Sequence, residues 1–454
     1  MSEAKTEEID CKDRISALPE ELLVTILLHV PIKDAVATMI LSKRWRYIWM
    51  MMPTLDYNET NNVNHARDWG GDDDDDSDDD LESKSIWWFL DKSLKLHKAP
   101  VLEILLISLG QRCPIDANVG NWVAKAVERG VIVLQFKLRW SAGPTTLPKS
   151  LYTCETLKEL TLSNKILVDF PSSPSCLPSL EILQLSCVVY KDEDSFARFL
   201  SSCPVLGKLI VNRKKNDNLT NFIVKVPSLW MLWYYNITWL LDDYDVVDSG
   251  SFLVIDTPAL IKFDVTDYSR HSWSIGNMPC LEEAYIMVDC LSLFDKIITA
   301  SSVVLSLVLT FSDEMLVRCS TVRFSLLIKL SVDPSGSNWV EPLLLLLGNT
   351  PKLEELLVNN ESASVYEDIP LSWNQPSSIP GCLSSHLKIF EWRYYGHKEE
   401  EEELLTYILA NSKCLKTATI SLKSMLDPEL EQDFIIGKLK DIPRVSTTSR
   451  LLVN

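Results

Sequence analysis

A chain of 454 residues exceeds the ~100–200 residues of one ordinary domain, and with 46% hydrophobic and 24% charged residues it can bury a large core, which excludes a mainly disordered protein. Its net charge of −19 argues against nucleic acid or an anionic membrane as the main partner, since both reward clustered Lys and Arg. The longest apolar runs, such as Leu343 to Leu347, which Gly348 stops, fall far short of the ~18–20 residues of a membrane span, and the acidic start MSEAKTEEID lacks the marks of a leader, so cytoplasm or nucleus is the expected location.

In chain order, the first organised stretch runs from Arg14 to Trp49. Leu18-Pro19-Glu20-Glu21 reads as a helix start, because Pro is tolerated in a first turn and two carboxylates face the positive end of the helix dipole. Leu22, Leu23, Ile26 and Leu27 give that helix one wide apolar face, and Val30-Pro31 ends it. A second helix is predicted from Asp34, with Val36, Met39 and Ile40 inward. Ser42 is predicted to cap a third, whose Trp45, Ile48 and Trp49 share one side. Three helices this short expose more apolar surface than they bury, so a partner is expected to cover the rest.

The Leu18-Pro19 start, the central Val30-Pro31 and the run Ser42-Lys43-Arg44-Trp45-Arg46 with Trp49 resemble an F-box over residues 14–57. That resemblance implies docking on the Skp-type adaptor of a cullin-RING ubiquitin ligase. Leu18, Pro19, Leu22, Ile26, Val30, Pro31 and Trp45 are the expected adaptor-binding residues. Residues 1–13 read as a polar tail, and residues 58–85 as a flexible acidic linker that holds Asp72 to Asp76 and Asp78 to Asp80.

From Ile86 the pattern alternates helix and strand. Val119, Trp122, Val123, Ala126 and Val127 follow a helical period, Gly130 suits a left-handed stop, and Val131 to Leu138 reads as a strand. The signature Leu-x-x-Leu-x-apolar then recurs at Leu157/Leu160/Leu162, Leu180/Leu183/Leu185, Leu206/Leu209/Val211, Leu260/Phe263/Val265 and Leu353/Leu356/Val358. The spacing is close to the ~20–29 residues of a leucine-rich repeat, so residues 86–378 are expected to form an irregular solenoid, an α/β horseshoe. The position usually held by Asn or Cys is Lys165, Val188 and Lys214 here, which puts the customary side-chain ladder in doubt. The aromatic run from Trp230 to Trp239 offers Trp230, Trp233 and Tyr235 as candidate substrate-binding residues, rimmed by Asp242, Asp243 and Asp245, with core packing as the alternative. The basic trio Arg213-Lys214-Lys215 reads as an exposed turn.

From Ile379 strand, helix, strand, helix and a terminal strand follow, with Glu399 to Glu403 opening the first helix against its dipole. The pieces HLKIFEWRYYGHKEEEEELLTYILANSKCLKTATI and IPRVSTTSRLLV resemble the FBD domain found after F-box and leucine-rich repeats in plants, so residues 379–454 are expected to form an α+β cap on the solenoid.

Eleven cysteines without a C-x-x-C pair, and six scattered His, predict free thiols and no metal or cofactor. Cys154, Cys203, Cys280 and Cys414 precede repeat leucines and read as buried. No phosphate loop, nucleophile elbow, dinucleotide fingerprint or zinc-protease motif occurs. The expected function is a non-catalytic substrate receptor of an SCF-type ligase, with an unknown protein substrate and neither nucleic acid nor membrane as partner. A scaffold not coupled to degradation is the alternative.

Overall fold

The computed structural model describes residues 15, 17–58, 86–110, 118–139, 143–171, 175–213, 217–236, 252–268, 272–288, 291–300, 303–311, 313–334, 339–361, 376, 378–423, 429–446 and 448–454. The acidic segment 59–85, Lys214, Lys215, Trp239, Asp242, Asp243 and Asp245 lie outside them. The described residues fall into two compact units, one within 1–191 and 202–205, the other within 192–201 and 206–454.

The first unit opens with three short helices, α1 (Glu20–Leu27), α2 (Ile32–Ala37) and α3 (Trp45–Ile48). Its strands Thr54–Asn58, Ile104–Leu109, Val133–Leu138, Glu159–Asn164 and Ile182–Ser186 pair parallel in that order. Side chains alternate along a strand, so one register row holds Leu55, Leu105, Leu134, Leu160 and Leu183, and the next holds Tyr57, Ile107, Phe136, Leu162 and Leu185. All ten are buried. Helices Ile86–Leu96 and Val119–Glu128 join the early strands; the second ends at Gly130 with φ 71°, the left-handed stop expected there.

The second unit repeats the plan from Lys208–Arg213 to Arg450–Val453. The described strands between them, Met231–Asn236, Lys262–Asp267, Glu283–Val288, Ser306–Phe311, Lys329–Pro334, Glu355–Asn359, Ile389–Tyr395 and Thr417–Leu422, are all parallel. The last three strands belong to the predicted cap and extend the sheet of the repeats, their Phe390 and Ala418 in register with Leu356. Behind the sheet, helices pack neighbour on neighbour, Leu291–Ala300 on Asp313–Cys319 and that one on Val340–Gly348.

Two features depart from a plain helix-and-strand alternation. In place of some helices, short parallel strands form an outer sheet: Asn221–Lys225, Phe252–Asp256 and Ser272–Ile275 in the second unit, and Thr145–Thr146, Ile166–Val168 and Val189–Tyr190 in the first. And the side-chain ladder whose residues the repeats lack has a backbone substitute. One carbonyl ahead of a strand accepts two successive N–H groups from the next turn: Pro53 from Glu103 and Ile104, Ile132 from Lys158 and Glu159, Trp230 from Ile261 and Lys262, Ile328 from Glu354 and Glu355, Lys388 from Lys416 and Thr417, at 2.7–3.2 Å. Turns are tied by main chain, so the repeats hold together with Lys165 and Val188 where a side-chain ladder would have Asn or Cys.

Three local expectations are corrected. Arg213 is no exposed loop residue: it ends a strand with its side chain 7% exposed and forms an ion pair with Asp217 at 2.7 Å. Cys280 and Cys414 are exposed, because they sit on the turns before the strands, whereas Cys154 and Cys203 are buried as expected. The stretch IPRVSTTSRLLV, expected as the terminal strand, forms one only over Arg450–Val453. No described helix is long and apolar enough to cross a membrane.

Candidate functional site

Helix α1 begins after Pro19, whose φ of −54° and ψ of 153° set it as an extended N-cap, and Glu20 and Glu21 occupy the first turn. Its apolar residues separate into two faces. Leu23 and Leu27 are buried against the following helices, while Leu22 is 49% and Ile26 42% exposed. Val30 and Leu28 are also exposed, and so is Pro31. The Arg44 guanidinium donates to the Leu18 carbonyl at 2.5 Å, which ties the Leu-Pro start to the chain just ahead of α3. Ser42 Oγ accepts the Trp45 N–H at 3.3 Å, the predicted cap.

Of the predicted adaptor-binding residues, Leu22, Ile26, Val30, Pro19 and Pro31 are exposed and Leu18 is half-buried, but Trp45 is 5% exposed and packs inside with Ile48 and Trp49. The predicted inner face of the second helix is corrected: α2 starts at Ile32, directly after Pro31, so Ile32 and Ala35 point inward. The chain tightens to a 3₁₀ turn over Thr38–Ile40, which breaks the 3.6-residue period and leaves Ile40 85% exposed. Leu41, Tyr47 and Met51 are exposed as well, an addition that periodicity concealed.

In the second unit the strand Met231–Asn236 buries Leu232 and Tyr234 and leaves Trp233 and Tyr235 on the other, partly exposed face of the sheet. Trp230 precedes the strand and lies elsewhere, its indole so close over Gly207 that a Cβ there would come within 2.5 Å of Nε1. Trp233 is in register with Asp264, and Asp264 with Tyr285, on consecutive strands. The Tyr235 hydroxyl donates to Asp264 Oδ2 at 2.8 Å. Burial pushes the Asp264 carboxyl up to about 6. Burial also raises the Tyr285 phenol, helped by the charges of Asp264, Asp333 and Glu361. Lys208 Nζ lies 4.8 Å from the centre of the Trp233 ring.

A cleft of about 730 Å³ beside helix Glu399–Asn411 is lined by His397, Glu402, Glu403, Tyr407, Asn411 and Lys438. Within it Glu402 lies 3.7 Å from Lys438 Nζ and 3.9 Å from the His397 ring. Among the described residues no group of three or more His, Cys, Asp and Glu is arranged to hold a metal ion.

Three family models match: the F-box domain over residues 15–56, the leucine-rich repeats of the FBD-associated F-box protein At5g56370 over residues 119–282, and FBD over residues 375–420. The chain is 56% identical to the FBD-associated F-box protein At1g05080 of Arabidopsis thaliana, with all of both chains covered. It is 46% identical to the F-box/FBD/LRR-repeat protein At1g22000 of the same plant over 97% of this chain and 91% of that one, and 35% identical to the F-box/FBD/LRR-repeat protein At4g26340 over 97% and 99%. With an amino-terminal three-helix segment, a parallel repeat sheet and a terminal unit in matching order, the chain belongs to the F-box/FBD/leucine-rich-repeat family of proteins.

Proposed function

We propose that this protein is a non-catalytic substrate receptor of an SCF-type ubiquitin ligase, working in the cytoplasm or nucleus. Its F-box segment docks on a Skp-type adaptor, and through it a cullin, while the sheet face of the repeats recognises a protein substrate. The observation that carries the reading is the split of α1: Leu23 and Leu27 supply the fold, whereas Leu22 and Ile26 stay exposed with no role in that core. Burying two such side chains on association removes apolar area worth ~25 cal/mol per Å². Leu18, Pro19, Val30 and Pro31 frame the same docking surface, and Trp45 supports it from inside. Trp233 and Tyr235 are the proposed substrate contacts, with Trp230 apart from them.

The test is co-purification of the full chain with a Skp-type adaptor. Leu22→Asp with Ile26→Asp should abolish capture and leave the melting temperature unchanged, because both side chains are exposed. Undiminished capture would refute the docking surface. Ubiquitination of a captured partner separates the receptor from a scaffold that binds without degradation.

A further inference from the structure

The sheet face of the second unit gathers four side chains that the alternation of three strands brings to one place. Leu232 and Tyr234, Phe263 and Val265, and Ala284 and Ile286 take the buried face, so Trp233, Tyr235, Asp264 and Tyr285 share the other. Asp264 is the only acid in the row it forms with Trp233 and Tyr285. One of its oxygens holds the Tyr235 hydroxyl. The other, Oδ1, is shielded from solvent and has no hydrogen-bond partner among the described residues. A carboxylate oxygen in that state lacks a donor.

The cations of this part of the sheet are engaged elsewhere. Lys262, two residues before Asp264 on the same strand, pairs with Glu283 at 2.9 Å. Arg213 lies with the buried Tyr234 and Phe222, held by Asp217 and the Leu219 carbonyl. Lys208 sits over the Trp233 ring, and Asp264 forms no ion pair among the described residues. Lys208 Nζ, 4.8 Å from the Trp233 ring centre, already makes the contact expected between an indole and a cation. Asp333 and Glu361 add negative charge about Tyr285. The local field therefore favours a cation, and the aromatic walls favour one that is weakly hydrated.

We infer that Trp233, Asp264, Tyr235 and Tyr285 form a seat for one basic side chain, Arg or Lys, of a protein partner, with the cation lying against the aromatic rings beside the under-coordinated Asp264 carboxylate. Arg fits best, because its planar guanidinium stacks on a ring while its edge meets a carboxylate. This rests on the receptor reading only in making the partner a protein.

The test uses the full chain labelled with 5-fluorotryptophan, the Trp233 fluorine signal being assigned by its loss in Trp233→Phe. The probes are the acetylated and amidated peptide Gly-Arg-Gly and its neutral isostere with citrulline in place of Arg. A saturable shift of the Trp233 signal is expected with the Arg peptide, weaker by roughly tenfold or more with citrulline and in Asp264→Asn. Asn keeps an acceptor for Tyr235, and unchanged signals from the other tryptophans verify the fold. Glu282→Gln, which removes an exposed carboxylate that forms no ion pair among the described residues, should bind as the wild type does. No saturable shift, equal binding of the citrulline peptide, or an equal loss in Glu282→Gln overturns the seat. Adaptor capture is measured on the same preparation: its failure would sink the receptor reading while the peptide titration still decides the seat.

Discussion

Trp392 joins the terminal unit's strand Ile389–Tyr395 to the repeats before it, and its removal tests whether the two share one core. The side chain is 0% exposed. Its ring meets Trp339 edge-on at 6.0 Å, Phe390 at 6.2 Å and Tyr395 at 5.4 Å. Trp339 precedes helix Val340–Gly348 in the repeats, so the contact crosses from the matched FBD segment into the repeat array. Truncating a buried aromatic to Ala costs ~3–5 kcal/mol, and each lost aromatic pair adds ~0.5–1.5 kcal/mol. Against a stability of ~5–15 kcal/mol this is a large fraction. At ~2–4 °C per kcal/mol for a unit of this size, Trp392→Ala should melt ~10 °C or more below the wild type. Trp392→Phe should cost far less: it keeps a ring and removes an indole N–H that has no acceptor among the described residues. The assay is a calorimetric melt of the three full chains, beside adaptor capture, which should not change. A Phe variant as damaged as the Ala variant, or an Ala variant that melts like the wild type, would refute the shared core.

Asp217→Ala should destabilise the second unit by ~3–5 kcal/mol in a denaturant titration, because it strands the buried Arg213 without its carboxylate; a loss below ~1 kcal/mol would mean the pair behaves as a surface one. His97 is 2% exposed, its Nε2–H donating to the Met52 carbonyl and its Nδ1 accepting from Arg129, and burial holds its pKa down to about 4. A depressed folded-state value means that the unfolded chain binds the proton first, so the stability is whole above about 6.5 and falls as pH drops toward 4, by at most ~3 kcal/mol. His97→Gln should lack that part of the pH slope, and an identical slope in both chains would remove His97 as its source. Ending the chain at Ser378 should cause aggregation through the bared edge of Glu355–Asn359, while adaptor capture through the first unit persists; a soluble truncated chain with unchanged melting would make the terminal unit independent.

How far the sequence was legible depends on whether a feature is local. Leu160 with Leu162 and Leu183 with Leu185 announced their strands because alternation is written within five residues, and all four are buried. Ile40 was misplaced because a single 3₁₀ turn resets the helical phase. Asp264 carried no signal. In KFDVTD it reads as an ordinary outward polar residue, and only the parallel register sets it between Trp233 and Tyr285. Glu401 was hidden in another way, inside a run of five glutamates. It is 1% exposed, accepting from the Gly396 and Lys398 N–H groups at 2.9 and 3.3 Å and from Asn360 Nδ2 at 2.9 Å. A dipole argument treats the five glutamates alike, whereas the N3 position of a helix selects one that can reach back to the N-cap.

The junction after the F-box follows from the same contrast between local and register information. The strand Thr54–Asn58 offers only Leu55 and Tyr57 to a core, too little for a pattern, and its partner Ile104–Leu109 comes after the long acidic segment. The structure nevertheless makes it the first strand of the parallel sheet. Met50 accepts the Lys98 and Ala99 N–H groups, and Pro53 accepts those of Glu103 and Ile104, so the last turn of the F-box segment obeys the same two-donor rule that ties the repeats together. Trp49, Met50 and Met52 are buried, and His97 and Arg129 close the joint. Within the first unit the F-box segment is thus joined to the first repeats by main-chain pairing and by the buried Trp49, Met50 and Met52, whereas the expected linker 58–85, Asn58 apart, lies outside the described residues.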